Sequence, residues 1–518
     1  MKCQESVRKL IRPTIWIDSA LEIPEILWAI GKFLDHPRLA AATAVCRSWN
    51  TIFTPFLYHT LKWTEHNQRH RHSSGIKDRV GHIRVIKLSD YWVPSLADCT
   101  HLERLNLNPG FGEIDFWTPL ANLVRQNPRL VTLRVFSPSS EFLEVVFTCS
   151  PQLKRLDLDL VTFEITDSFF DVCLRLEELK MMDLALDTED ADSSWIHWPA
   201  AFPTIKKLWI GVNYNWDCTP RQLQYQHEFI QRCPNLESLT WSISLPIPAH
   251  EIKDLLSPKT SPCPKIKAFA LHFTGFRPDY MPDDSLIEIL KICNNNLTSF
   301  ESYGFPFEWL YVQALITSLA SSLTRLHLSE CGYSTSGPMM KILSSCPHLV
   351  HVRCVGTLDA LDILGVDHDK ATRRSYGYMP LPESIHPPEW ACKNLQTLEI
   401  AIYGFEYKPP EWQRAVLKQL AKLKQLRVLD VDDKTEFPSK DGIDFRLTLG
   451  LDILSSLTLL ERLSINSFSQ TMTKQDVEWM IKAWPRLSSV RGWVHHSVSE
   501  RIELEKIFKR HGIVVKEF

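Results

Sequence analysis

The sequence predicts an α/β array of stacked strand–helix units preceded by a small all-α segment. Three observations carry this. A Leu-x-x-Leu-x-Leu frame recurs along most of the 518 residues. The stretch after a frame switches from period 2 to helical period, as after Leu323, Leu326 and Leu328. Residues 21–58 instead carry apolar stripes of helical spacing on segments too short to build a substantial core alone.

In that N-terminal segment Ile23, Ile26, Leu27, Ile30 and Leu34 form one stripe beginning at Pro24. After a break at Asp35-His36-Pro37, Leu39, Ala42, Cys46, Trp49 and Phe53 form a second. Apolar residues left over on two or three such helices would serve a partner. The elements Ile23-Pro24-Glu25-Ile26-Leu27 and Val45-Cys46-Arg47-Ser48-Trp49 resemble the start and the Val-Cys-x-x-Trp element of an F-box. Isoleucine stands where the family usually has leucine, and Leu57-Tyr58 stands at its usual Leu-Trp pair. The resemblance implies docking on the Skp adaptor of cullin-RING ubiquitin ligases. It makes Ile23, Pro24, Ile26, Leu27, Ile30, Leu34, Val45, Cys46 and Trp49 the candidate adaptor-facing or F-box-core residues. A competing reading is a helical cap over the open end of the array. The expected organisation is an extension over 1–18, the F-box over 19–60, a linker over 61–80, and the repeat array with its C-terminal cap over 81–518. His66, His70 and His72 fall in the polar linker, where solvated surface is favoured over metal binding.

Copies of the repeat frame include HLERLNL, RLVTLRV, QLKRLDL, NLESLTW, NLQTLEI and LLERLSI. With weaker copies, about fifteen units stand mostly about 23 to 34 residues apart, with one interval of about 46 between Leu349 and Leu395. Leu-x-Leu signals a short strand with one buried face. Met339, Ile342, Leu343 and Cys346 then stand on one face of a helix, with Ser336 as its expected cap, Pro338 in its first turn and Pro347 ending it. One strand and one helix cannot bury their own apolar face, so each unit must stack on its neighbours. The chain has thirteen cysteines and no C-x-x-C. Cys99, Cys173, Cys233, Cys263, Cys346 and Cys392 each stand three residues before a frame, which reads as structural, not as metal or redox chemistry. These units resemble leucine-rich repeats of the cysteine-containing subtype, with Cys331 just after its strand. The resemblance implies a right-handed solenoid with parallel strands on a concave face and helices on a convex one.

Fifty-eight basic against sixty-one acidic residues offer no broad attraction to nucleic acid or to a membrane surface. The N-terminus reads as no secretory signal and no stretch as a spanning helix, so an intracellular, cytoplasmic or nuclear protein with reduced thiols is expected. No phosphate loop or catalytic motif occurs, and no cofactor, metal or catalytic residue is expected. Asp367-His368-Asp369 reads as a charged turn, and 355–391 as an irregular excursion. PPEW, at 387–390 and 409–412, reads as structural in both places. In the C-terminal third, DFRLTLGLDILSSLTLLERLSI followed by DVEWMIKAWPRLSSVRG resembles the tail of a large fungal group of F-box/leucine-rich-repeat proteins. Its end reads as a charged helix, a stop at Gly512 and a final strand.

The position between the last two apolar residues of each frame points out of the expected concave face. It carries Asn106, Arg134, Asp157, Lys180, Trp209, Thr240, Ala270, Glu301, His327, Arg353, Glu399, Asp430, Ser464 and Arg491. Their signs alternate, which argues against a nucleic-acid groove. Trp209, Tyr303, Arg325, His327, Arg353 and Trp493 are the candidate target-binding residues. The leading expectation is a non-catalytic substrate receptor, with the F-box on the ligase core and the solenoid on an unknown target protein. A ligase-independent scaffold is the alternative. A small-molecule sensor ranks last, supported only by Arg325 and Arg353 on adjacent units.

Overall fold

The structure, a computed structural model, describes residues 23–63, 79–88, 99–108, 117–159, 166–182, 198–211, 220–243, 265–273, 297–303, 309–329, 336–366, 386–406, 408–432, 441–465 and 470–516. The linker histidines, Cys263, Cys331 and Asp367-His368-Asp369 lie outside these residues. The chain divides into two compact units, Met1–Ile205 and Lys206–Phe518.

The first unit opens with three short helices, α1 (Pro24–Gly31), α2 (His36–Thr43) and α3 (Arg47–Leu57). The second apolar stripe is thus shared by two helices, because Asp35 caps α2 and the Cys46 thiol caps α3. Six parallel strands follow: β1 (Thr60–Trp63), β2 (Val85–Leu88), β3 (Arg104–Leu107), β4 (Thr132–Phe136), β5 (Arg155–Asp159) and β6 (Glu178–Met182). Strand β1 occupies the first residues of the stretch expected as linker. Helices α4 (Trp117–Arg125), α5 (Ser140–Cys149) and α6 (Asp167–Cys173) alternate with the later strands. Leu105, Leu133, Leu156 and Leu179 stand in one register column, and Leu107, Val135, Leu158 and Met181 in the next. All eight are buried, so the period-2 frame becomes two continuous apolar ladders.

In the second unit eleven strands pair in parallel, each with the next in sequence. They are β7 (Lys207–Gly211), β8 (Ser238–Ile243), β9 (Ala268–Phe273), β10 (Ser299–Tyr303), β11 (Arg325–Ser329), β12 (His351–Asp359), β13 (Thr397–Tyr403), β14 (Val428–Asp430), β15 (Arg462–Ser464), β16 (Ser489–Arg491) and β17 (Val514–Lys516). The connecting helices are α7 (Pro220–Gln231), α8 (Trp309–Leu319), α9 (Ser336–Ser345), α10 (Ala360–Leu364), α11 (Pro410–Leu420), α12 (Lys474–Ala483) and α13 (Val498–Arg510). Leu208, Leu239, Phe269, Phe300, Leu326, Val352, Leu398, Leu429, Leu463 and Val490 are all buried, on successive strands β7 to β16. The expected end is present: α13, then Gly512 at φ 74°, then β17.

Two local expectations change. Ser336 is the first residue of α9 and does not cap it; its hydroxyl accepts the N–H of Asp359 at 2.8 Å, tying the helix start to the end of β12. The excursion expected from residue 355 is ordered at its start, because β12 runs on to Asp359 and Asp359 caps α10 through the Leu361 N–H. The register of β12 against β13 shifts between Arg353 and Thr357, which accommodates that extra length. Both PPEW tryptophans, Trp390 and Trp412, are buried, and α11 starts at the second proline pair.

The cysteines behave as core. Cys99, Cys173, Cys233, Cys346 and Cys392 are fully buried and Cys149 partly so. Burial pushes the thiols of Cys346 and Cys392 up to about 12, leaving almost no thiolate for chemistry near neutrality. Where a turn must satisfy buried backbone, amide side chains bridge to the neighbouring unit. Asn127 accepts from Leu102 N at 2.6 Å and donates to Cys99 O at 2.6 Å and Leu123 O at 2.7 Å. Gln413 brackets Asp444, accepting from its N at 3.0 Å and donating to its O at 2.7 Å. Gln470 accepts from Phe445 N at 3.0 Å and donates to Ile443 O at 2.6 Å. Asn127→Ala should therefore destabilise the first unit by about 2–3 kcal/mol, since it strands buried backbone groups. Asn122→Ala, which removes only an exposed contact with Arg125, should stay within about 0.5 kcal/mol. Denaturant midpoints of the two variants, read at unchanged slope, check this.

Candidate binding surfaces

The helical segment sorts its apolar residues onto two sides. Leu27, Leu39, Ala42 and Phe53 make a small core, and Leu34, Trp49, Ile52, Phe56 and Leu57 pack against it half-buried. Gly31 sits in this contact: a Cβ there would lie 2.9 Å from the Phe56 ring, so only glycine lets α1 approach α3 this closely. The other side of α1 is apolar as well. Ile23 at its N-cap, Ile26 and Ile30 within it and Phe33 in the turn after it follow at steps of three and four residues, and all are exposed, Phe33 at 86%. Val45, in the turn between α2 and α3, is 62% exposed. Trp28 is exposed too, its ring edge-on to Phe56 at 5.4 Å with the Lys32 ammonium 4.0 Å over its face.

Of the nine residues the sequence singled out here, Leu27 is core and Leu34 and Trp49 are half-buried supports. Trp49 stacks edge-on to Phe53 at 5.5 Å. Cys46 caps α3, its sulfur accepting from Trp49 N at 3.5 Å. Ile23, Pro24, Ile26, Ile30 and Val45 face outward. Trp28 and Phe33 were missed; the i, i+3, i+7, i+10 spacing from Ile23 signalled Phe33, whereas Trp28 falls outside it.

On the strands, residues alternate between the buried ladders and an open face. In the first unit the open-face column Asn106, Arg134, Asp157, Lys180 is in register. It neutralises itself: Arg134 reaches Asp157 at 3.1 Å, and Lys180 reaches Asp157 at 3.5 Å and Asp159 at 3.6 Å. In the second unit the column runs in register from Trp209 through Thr240, Ala270, Glu301, His327 and Arg353 to Glu399, then on through Asp430 and Ser464 to Arg491 and Lys516.

Thr240 and Ala270, between Trp209 and Glu301 in this column, have short side chains. Gly211, two residues after Trp209, lies where a Cβ would come within 2.2 Å of Ser242 O. His272 stands edge-on to Trp209 at 5.8 Å and 5.9 Å from the Tyr303 ring. Glu301 stands between two histidines, 3.0 Å from His327 Nδ1 and 3.8 Å from His272 Nε2. His327 Nε2 in turn lies 2.9 Å from Ser329 Oγ. Trp209, Tyr303 and His327 are thus brought together around Glu301, and Arg353 lies on the next strand, held by Glu399 at 3.3 Å. Arg325 is exposed two residues before His327 and lowers the pKa of His351, itself depressed mainly by burial. Trp493 does not join this face: β16 ends at Arg491, and the Trp493 ring lies under the Arg501 guanidinium of α13 at 4.8 Å.

Among the described residues no group of three His, Cys, Asp or Glu side chains could hold a metal, and no helix is long and apolar enough to cross a membrane. The two histidines, His272 at 3.8 Å and His327 at 3.0 Å, hold the Glu301 carboxyl down at about 2 against the opposing effect of burial. A carboxyl depressed in the folded state contributes stability above its ordinary value of 4.5, and that contribution is lost as pH falls towards 2. The stability difference between wild type and Glu301→Gln should accordingly be present at pH 5 and shrink between about pH 4.5 and pH 2. Denaturant titrations at stepped pH check this.

The F-box-like family matches residues 24–62, which span α1 to α3 and most of β1. No curated protein matches the chain in sequence. Among solved structures, a leucine-rich-repeat protein of Leptospira interrogans is similar at 13% identity and TM-score 0.35, over 83% of this chain and 99% of that one. The complex of Rad7 and Elc1 from yeast is similar at 13% identity and TM-score 0.39, over 99% of this chain and 94% of that one. The chain joins an F-box-like segment to an array of leucine-rich-type repeats.

Proposed function

We propose that the protein is a substrate-recognition subunit of a cullin-RING ubiquitin ligase, its F-box-like segment binding the Skp adaptor and its open strand face binding a target protein. The observation that carries the reading is the exposed stripe Ile23, Ile26, Ile30 and Phe33 with Val45, within and beside the residues of the family match. A patch of this kind on so small a helical unit costs solubility unless a partner covers it. A helical end cap would need its apolar residues turned towards the strands, whereas this stripe is exposed.

In this role the protein supplies proximity. Holding target and ligase together makes ubiquitin transfer effectively intramolecular, with the covalent chemistry done by other subunits. On the target side, Trp209 and Tyr303 offer aromatic anchors on either side of His272, and Glu301, His327 and Arg353 offer polar specificity.

Binding of the purified full chain to purified Skp adaptor, measured by calorimetry, tests the reading. Ile26→Ala combined with Phe33→Ala should weaken binding about a hundredfold, equivalent to about 2.7 kcal/mol. The thermal midpoint should barely move, since both side chains are exposed. Leu27→Ala should instead lower the midpoint, by emptying the core of the helical unit. Folded wild-type protein that does not bind the adaptor would leave the scaffold reading in its place.

A further inference from the structure

The carboxylates of the open face differ in what neutralises them. Asp157 has Arg134 at 3.1 Å and Lys180 at 3.5 Å, and Glu399 has Arg353 at 3.3 Å. Glu301 has two imidazoles instead, His327 Nδ1 at 3.0 Å and His272 Nε2 at 3.8 Å. An arginine or lysine cancels a carboxylate's charge at neutral pH, whereas a neutral imidazole donates a hydrogen bond and leaves the charge in place. Both imidazoles converge on the same oxygen, Oε1, which leaves Oε2 to a further donor. The carboxylate is within reach of one, its side chain being 39% exposed.

The neighbouring strands border this carboxylate without cancelling it. On β10 itself Tyr303 stands two residues beyond Glu301, about 6.6 Å along the strand, on the same face. On β9, His272 meets the Tyr303 ring at 5.9 Å and the Trp209 ring at 5.8 Å, so aromatic surface lies alongside. The open face of β8 carries Ser238 and Thr240 and no titratable group. On β11, Arg325 stands diagonally from Glu301, but its guanidinium acts on His351 of β12 and forms no ion pair with Glu301 among the described residues. Burial and then Arg325 push the pKa of His351 down, and its Nδ1 lies 3.0 Å from Thr397 Oγ1. Arg353, the other cation of β12, is held by Glu399.

We propose that Glu301 seats an arginine side chain of the target, held while His272 and His327 are neutral and released when they are protonated. A guanidinium donates in a planar fork to a carboxylate and also lies flat on aromatic rings, a combination an ammonium lacks. With neutral imidazoles the cluster of Glu301, His272 and His327 carries a charge of about −1, and with both protonated about +1, which repels a guanidinium. Glu301 does not titrate in that window, because its carboxyl is held down at about 2. Binding should therefore be present above the ordinary imidazole range and be lost below it. The proposal rests on the reading of the open face as the target-binding surface and adds a chemical requirement and a pH dependence to it.

The test uses the purified full chain and two fluorescein-labelled, histidine-free degenerate peptide pools, one with a central arginine and one with glutamine, read by fluorescence anisotropy. At about pH 8 the arginine pool should bind at least about tenfold more tightly, and at about pH 5.5 the preference should fall to within about twofold. Glu301→Gln should abolish the preference at the higher pH. His272→Gln combined with His327→Gln keeps amide donors that do not titrate, so the preference should persist at both pH values. Circular dichroism confirms that each variant is folded, and the wild-type pH profile needs no variant at all. Equal binding of the two pools by folded wild type, a preference that survives Glu301→Gln, or a pH dependence that persists in the double histidine variant overturns the proposal. Adaptor binding depends on residues of the first unit and is measured separately, so a chain that binds the adaptor but shows no arginine preference refutes only this proposal.

Discussion

The parallel strand ladder is the interaction on which everything else depends. No strand–helix turn in this chain can bury its own leucines, and each does so only by lying in register against the next. That constraint fixes the frame, since a one-residue slip would put Leu326 and Leu328 on the open face and His327 in the core. It also fixes where specificity can lie. Once alternate residues are committed to the buried ladders, only the residues between them are free to vary in chemistry. The open face of the second unit accordingly carries a tryptophan and a glutamate between two histidines on otherwise equivalent positions.

The helical segment answers to a different constraint. With a core of Leu27, Leu39, Ala42 and Phe53 and a rim of half-buried neighbours, it has too little interior to absorb all its apolar residues. Evolution could have replaced the remainder with polar side chains at little cost to folding. Instead the outward stripe of α1 is isoleucine and phenylalanine, with tryptophan beside it. That exposed apolar stripe is the observation on which the adaptor-binding proposal rests.

Much of this was legible in the sequence because it is periodic. Leu-x-Leu spelled the strands, and Cys99, Cys173, Cys233, Cys346 and Cys392, each three residues before a frame, proved to be buried. What stayed illegible depends on register and on where elements stop. Trp493 looked like an open-face anchor, but β16 ends two residues before it and α13 covers it. Ser336 looked like a cap, but its hydroxyl is claimed by Asp359, twenty-three residues away. Reading one position per repeat found Glu301 and His327 and missed His272, which becomes their neighbour only through strand pairing. Likewise, helical spacing grouped Ile26 and Ile30 on one stripe but could not say that this stripe faces out while Leu27 faces the core.

The central claim is that the helical segment and the strand face serve two different partners. Hydrogen exchange on the full chain, with and without purified Skp adaptor, tests it most directly. The account predicts slowed exchange confined to residues 23–58, with the strands from Lys207 to Lys516 unchanged. Protection spread over those strands, or no protection at all at saturating adaptor, would contradict it.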